Sequence, residues 1–118
     1  MEMPQLNRNN QNYKYRISPY FDSIGISITL ISQKADVYSL DAIQSVSVPP
    51  IIEPQESDWV IIDNITHPDI ETVLAENNII VPDKVADMKV GLNDYPCYQL
   101  TPKAYDLYQN SKKLKAIA

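Results

Sequence analysis

The sequence predicts an α+β domain: a mostly antiparallel sheet of four to six strands, packed by a short central helix (67–76) and a C-terminal helix (102–115). Three observations carry that expectation. Ile24, Ile26, Ile28 and Leu30 alternate with Gly25, Ser27 and Thr29, the period of a strand with one buried face. Trp59-Val60-Ile61-Ile62 is a short apolar run with the look of a buried strand at 59–63. Directly behind it, residues 65–80 carry helix signals at both ends.

Residues 1–12 are rich in Asn and Gln, lack periodicity and read as a flexible N-terminal arm, leaving 13–118 as one domain. Tyr13, Tyr15 and Ile17 then alternate with Lys14, Arg16 and Ser18, a half-buried strand closed by Pro19. The isoleucine strand follows. Beyond a turn at 33–36, Tyr38, Leu40, Ala42, Val46 and Val48 share one face, interrupted by Gln44, so 37–48 should pair with the isoleucine strand as an antiparallel hairpin. Pro49-Pro50-Ile51-Ile52-Glu53-Pro54 has too many prolines for a central strand and reads as an extended connector.

The helix expected over 67–76 is signed by a capping box, with Thr66 accepting from the Asp69 N–H and the Asp69 carboxylate reaching back. Pro68 suits the first turn, and Ile65 and Ile70 have the spacing of a hydrophobic staple. Ile70, Val73 and Leu74 line one face, while Glu71, Thr72 and Glu76 look outward. Asn77-Asn78 can supply the left-handed residue that ends the helix and folds Ile79 back onto Leu74. Pro82 to Asp87 reads as a loop. Met88-Lys89-Val90 and Tyr95 to Leu100 make a second hairpin through residues 91–94. Thr101-Pro102 reopens helix grammar, with Ala104, Leu107, Tyr108 and Ser111 on one face and Lys112, Lys113 and Lys115 at the negative end of the dipole.

A chain of 118 residues with 44% apolar and 21% charged residues is a globular domain able to bury roughly two thirds of its unfolded surface. No apolar run reaches the length of a bilayer span, and Met1-Glu2-Met3-Pro4 has no signal-peptide pattern. The single cysteine, Cys97, excludes an internal disulfide and suits a reducing compartment, so a cytoplasmic protein is expected. Charge is uneven. Residues 53–94 hold ten acids against Lys84 and Lys89, a net −8, while both ends are net positive. That acidic middle either faces a basic partner or is the solvated face of a helix and its loops.

Catalytic chemistry finds little purchase. His67 and Cys97 are single copies, and a nucleophile pair would need them in contact with Asp63, Asn64 or Asp69 as orienting group. An exposed first-turn histidine and a small core cysteine are the plainer readings. One His and one Cys make no structural zinc site, the carboxylates lack calcium-loop spacing, and Gly25 and Gly91 cannot form a phosphate-cradling loop. No catalytic residue, cofactor or metal is expected. Tyrosine is the unusual residue, eight against one Trp and one Phe. Interleaved with Lys14 and Arg16, Tyr13 and Tyr15 have the make-up of a base-stacking platform, though a half-buried strand gives the same pattern.

Val60-Ile61-Ile62-Asp63-Asn64, His67-Pro68, the run from Val73 to Ile79, Gly91, and Tyr95-Pro96-Cys97-Tyr98-Gln99-Leu100 together resemble a family of small uncharacterised proteins of plasmids, conjugative elements and phages. Its members share a hydrophobic strand ending in Asp, a helix ending in Glu-Asn-Asn or Glu-Asn-Gly, and a late Tyr-Pro-x-Tyr. The resemblance spans about residues 24–100. It implies a small accessory protein of a mobile element and brings no catalytic assignment.

The functional expectation is therefore a non-catalytic interaction protein, in its sharpest form an inhibitor of a host defence nuclease acting through an acidic surface. Glu53, Glu56, Asp58, Glu71, Glu76, Asp83, Asp87, Asp94 and Tyr95 are its candidate partner-binding residues. The alternative is a nucleic-acid-binding accessory protein using Arg8, Lys14, Arg16, Lys112, Lys113 and Lys115.

Overall fold

Strand pairing begins where the sequence suggests a free arm. In the computed structural model, which describes residues 3–20, 25–32, 43–50 and 57–117, Gln5–Arg8 (β1) pairs antiparallel with Gln11–Pro19 (β2). Asn9 and Asn10 join them with φ of 53° and 64°, the two left-handed residues of a type I′ hairpin turn. Leu6, opposite Tyr13, is buried, so the segment read as an arm belongs to the domain. Ile26–Ser32 (β3) lies antiparallel on β2, placing Tyr15 against Leu30 and Ile17 against Ile28. Ile43–Ser45 (β4) pairs with β3 as the expected hairpin requires, and Val46 is buried beyond it. Tyr38, Leu40 and Ala42 lie outside the described residues. Gly25 precedes β3 at φ 103°, and a Cβ there would overlap the Pro50 ring.

The second half builds a separate sheet. Trp59–Ile61 (β5) leads into helix α1 (Ile70–Glu76), then Ala86–Val90 (β6), Asn93–Gln99 (β7) and helix α2 (Pro102–Ile117). Its order is β5-β7-β6, all antiparallel, with Gly91 at φ 66° opening a two-residue turn between Val90 and Asn93. The described strands thus form a four-stranded and a three-stranded sheet instead of one sheet of four to six strands. A short seam joins them. The Val48 N–H donates to the Ile61 carbonyl and the Asp63 N–H to the Val46 carbonyl, both at 3.0 Å, around the bridge between Ser47 and Ile62.

Helix α1 adds to the core that the two sheets share. Ile70, Val73 and Leu74 are buried as the stripe predicts, and three such side chains contribute about 1.5–3 kcal/mol each. The C-terminus also follows expectation: Asn78 has φ 59°, the Ile79 N–H returns to the Leu74 carbonyl at 2.9 Å, and the Asn78 N–H to Ala75 at 3.1 Å, a Schellman closure. The N-terminus does not. Regular helix starts at Ile70 with Asp69 as its N-cap, and Asp69 makes no side-chain capping bond because Arg8 engages its carboxylate. Residues 67–69 are a turn leading in, with the Ile70 N–H on the His67 carbonyl. Thr66 is a donor here: its N–H bonds Asp63 Oδ1 at 3.0 Å. Ile65 is 53% exposed, so no staple forms.

Thr101 locks the second helix to the first. Its Oγ1 accepts from the Ala104 N–H as an N-cap and donates to the Asn78 carbonyl at 2.7 Å, while its N–H reaches the Ile79 carbonyl. Ala104 and Tyr108 then join the core formed by Tyr15, Ile17, Ile28, Leu30, Val60, Ile62, Tyr98 and Leu100. Tyr15 is buried, and its hydroxyl has no hydrogen-bond partner among the described residues.

Two stability measurements follow. Thr66→Ala should shift the denaturant-derived stability by less than about 0.5 kcal/mol, whereas Asp63→Ala should cost about 1 kcal/mol. Tyr15→Phe should raise stability by about 1 kcal/mol, since it removes a buried hydroxyl that has exchanged water for nothing. A clear loss would show that the hydroxyl is paired.

Candidate functional site

The end of α1 nearest β1 is held by a polar cluster. Arg8 grips Asp69 with two bonds, Nε to Oδ2 at 2.9 Å and Nη2 to Oδ1 at 2.8 Å, and Asn9 adds a third donor at 3.4 Å. The Arg8 hydrogen bonds hold the Asp69 carboxyl below the usual carboxylate range, against a smaller upward push from burial. Arg8 also reaches Gln44 Oε1 at 3.4 Å and His67 Nδ1 at 3.5 Å. The other ring nitrogen, Nε2, lies 3.1 Å from the Ser45 carbonyl, which can only accept, so Nε2 carries the proton and Nδ1 faces Arg8. At the far end of the helix, the Asn77 amide pairs with the backbone N–H and carbonyl of Asn7 at 3.0 and 2.9 Å. β1 and α1 are thereby stitched together at both ends.

On its other side α1 borders an open groove of about 430 Å³ lined by Pro68, Glu71, Thr72, Ala75, Glu76, Pro82 and Tyr98. Position in the folded chain explains the lining. Glu71 and Glu76 stand on the helix face turned from the stripe, and Tyr98 rises from β7 opposite Val60. The Tyr98 hydroxyl donates to Glu71 Oε2, and Asn64 donates to Oε1 at 2.8 Å, so Glu71 is fixed in place from both sides. Burial first, and then the Glu71 carboxylate, push the Tyr98 phenol well above its ordinary pKa. The groove is therefore lined by two carboxylates, one of them rigid, and its lining contains no cation.

Of the acids singled out from the sequence, Glu71 and Glu76 come together there, and Asp87 is near enough to act on Tyr98. Asp87 is itself paired with Lys84 at 3.0 Å, Asp58 accepts from Gln99 at 2.9 Å, and Asp83 is exposed. Asp94 lies opposite Lys89 near the β6–β7 turn, and Tyr95 is on the face of β7 away from Tyr98. Glu53 and Glu56 fall outside the described residues. Thr72 and Tyr98, which line the groove, and Asn64, which holds Glu71, are not among the expected residues. The alternation in Tyr95-Pro96-Cys97-Tyr98 signals that Tyr98 and Cys97 take opposite faces, but no local pattern tells that α1 covers the Tyr98 face.

The basic set does not converge. Arg8, half-buried, is committed to Asp69. Lys14 and Arg16 point away from the core face of β2, against which α2 packs, and Lys112 lies over the Tyr108 ring at 5.4 Å. Lys113 is exposed, and the Lys115 side chain lies outside the described residues. Nor do His67 and Cys97 form a pair, because the imidazole is engaged by Ser45 and Arg8. Asp63, Asn64 and Asp69, the three candidate orienting groups, are occupied by Thr66, Glu71 and Arg8. Cys97 is fully buried in β7 opposite Ile61, and burial pushes its thiol up to about 11, away from nucleophilic reactivity at neutral pH. Among the described residues no three His, Cys, Asp or Glu side chains are grouped to hold a metal ion, and no helix is long and apolar enough to cross a membrane.

Comparison with protein-family models, with curated proteins and with solved structures finds no match for the chain.

A double-mutant cycle with Arg8→Gln and Asp69→Asn should give a coupling of about 1 kcal/mol or less, since Asp69 is partly exposed and solvent screens the pair. Because the folded carboxyl is depressed, this stability is present above the ordinary carboxylate pKa and disappears as pH falls through the folded value. Coupling that survives in strong acid would contradict the ion pair.

Proposed function

We propose that this chain is a non-catalytic protein-interaction protein that docks a basic partner through the α1–β7 groove. One observation carries the reading: Glu71 and Glu76 face an open groove, with Glu71 held by Tyr98 and Asn64 instead of by a cation. A carboxylate oriented by neutral donors keeps its charge available to an incoming Lys or Arg, and loses little freedom on binding. The engagement of His67 and the burial of Cys97 support a role without covalent chemistry. In the setting that the family resemblance implies, a cytoplasmic accessory protein of a mobile element, the basic partner is a host or element-encoded protein. A defence nuclease, whose nucleic-acid groove is basic, is the sharpest case.

Affinity capture from the host, followed by titration of the captured protein, tests this. Binding should weaken steeply with salt, because exposed charges are screened beyond about 8 Å at physiological strength. Replacing the exposed groove residues Thr72→Lys and Glu76→Lys together should lower affinity by about tenfold or more, roughly 1.4 kcal/mol. Lys14→Glu with Arg16→Glu should leave it unchanged. The reverse pattern, with nucleic acid as the captured species, would favour the nucleic-acid-binding alternative.

A further inference from the structure

The two ends of the sheet system are treated differently. β1, at one end, has its outer edge blocked where the Asn77 amide occupies both backbone groups of Asn7. β6, at the other end, pairs among the described strands only with β7. Its free edge can be read from the register. The two-residue turn makes Val90 and Asn93 a hydrogen-bonded pair, so Met88 with Tyr95 is the next such pair. Asp87 then sits in a non-bonded position opposite Pro96, which has no N–H to offer, as this parity demands. The backbone N–H and carbonyl of Asp87 and of Lys89 therefore point outward, away from β7.

We propose that β6 is a self-pairing edge, and that two copies of the chain join β6 to β6, antiparallel about Met88, into a six-stranded sheet. In that register Asp87 of each copy pairs with Lys89 of the other, and these are the residues whose backbone groups face outward. Four hydrogen bonds and two opposite-charge contacts form by one two-fold operation, the hallmark of an isologous interface. The opposite face matches as well. Met88 meets its own counterpart, and Ala86 meets Val90, extending the half-buried apolar contact that Met88 makes opposite Tyr95. Val85 lies outside this pairing, its N–H bonded to the Cys97 carbonyl of its own sheet at 2.9 Å. Charge also selects the register, because centring on Asp87 or on Lys89 would set like charges against each other. Lys84 is the other charged group at Asp87, in an exposed pair that is readily exchanged.

Sedimentation of the full chain over a wide concentration range tests the pairing. The wild-type chain should move toward twice the protomer mass as concentration rises. Asp87→Lys and Lys89→Asp, made singly, should each weaken self-association about tenfold or more, since both symmetry-related contacts become repulsive. The combined exchange, Asp87→Lys with Lys89→Asp, should restore it, and unchanged circular dichroism of all three variants separates loss of pairing from loss of fold. A wild-type chain that stays at protomer mass throughout, single variants that associate as well as wild type, or a combined variant that fails to recover would each overturn the proposal.

Discussion

Helix α1 is held by the burial of Ile70, Val73 and Leu74 in the core that the two sheets share. A helix of seven residues has no stability of its own in water, and its last turn carries no cation to offset the dipole. The burial of those three side chains is therefore what the architecture depends on. The seam itself is small, two backbone bonds around the bridge between Ser47 and Ile62, and the four-stranded and three-stranded sheets share one core with the buried side chains of α1 and α2. Polar contacts then fix the direction of the helix. Arg8 and Asn7 hold its two ends against β1, and Thr101 ties the Schellman turn to the start of α2.

The groove follows from this placement. Once the stripe faces inward, the 3.6-residue period sends Glu71, Thr72 and Glu76 to the outside, and Glu71 lands over β7 where Tyr98 meets it. Low dielectric around the phenol strengthens that bond and makes the carboxylate a fixed feature of the surface. The proposed docking role and the proposed self-pairing of β6 use different parts of the small sheet, its helix-covered face and its edge. Each can fail without the other.

What was legible in the sequence was local. Ile26, Ile28 and Leu30 gave their strand away by alternation, and Asn77-Asn78 marked the helix end, because a left-handed residue and an apolar return are encoded within six positions. The N-terminal cap departs from its local signals for a reason of range. Thr66, Asp63 and Asp69 are all capable caps, and the choice among them was made by Arg8, 61 residues before Asp69. The β1–β2 hairpin was readable in principle, since Asn-Asn suits two left-handed positions, but the polar composition around it mimicked a free arm. The split into two sheets had no sequence signal, because strand neighbours are set by packing between distant segments. For the groove, Glu71 and Glu76 were visible as outward acids, whereas Tyr98 and Asn64 became partners only through the docking of α1.

Native-state hydrogen exchange puts the dependence on that stripe to the most direct test. If α1 is held only by the core it helps to form, the amides of Asn77 and Ile79, bonded to Val73 and Leu74, should exchange at the same free energy as those of β3 and β7. Helix and sheets would then open together. Exchange of Asn77 and Ile79 at a much lower free energy, with the strands still protected, would mean that the sheets stand without the helix.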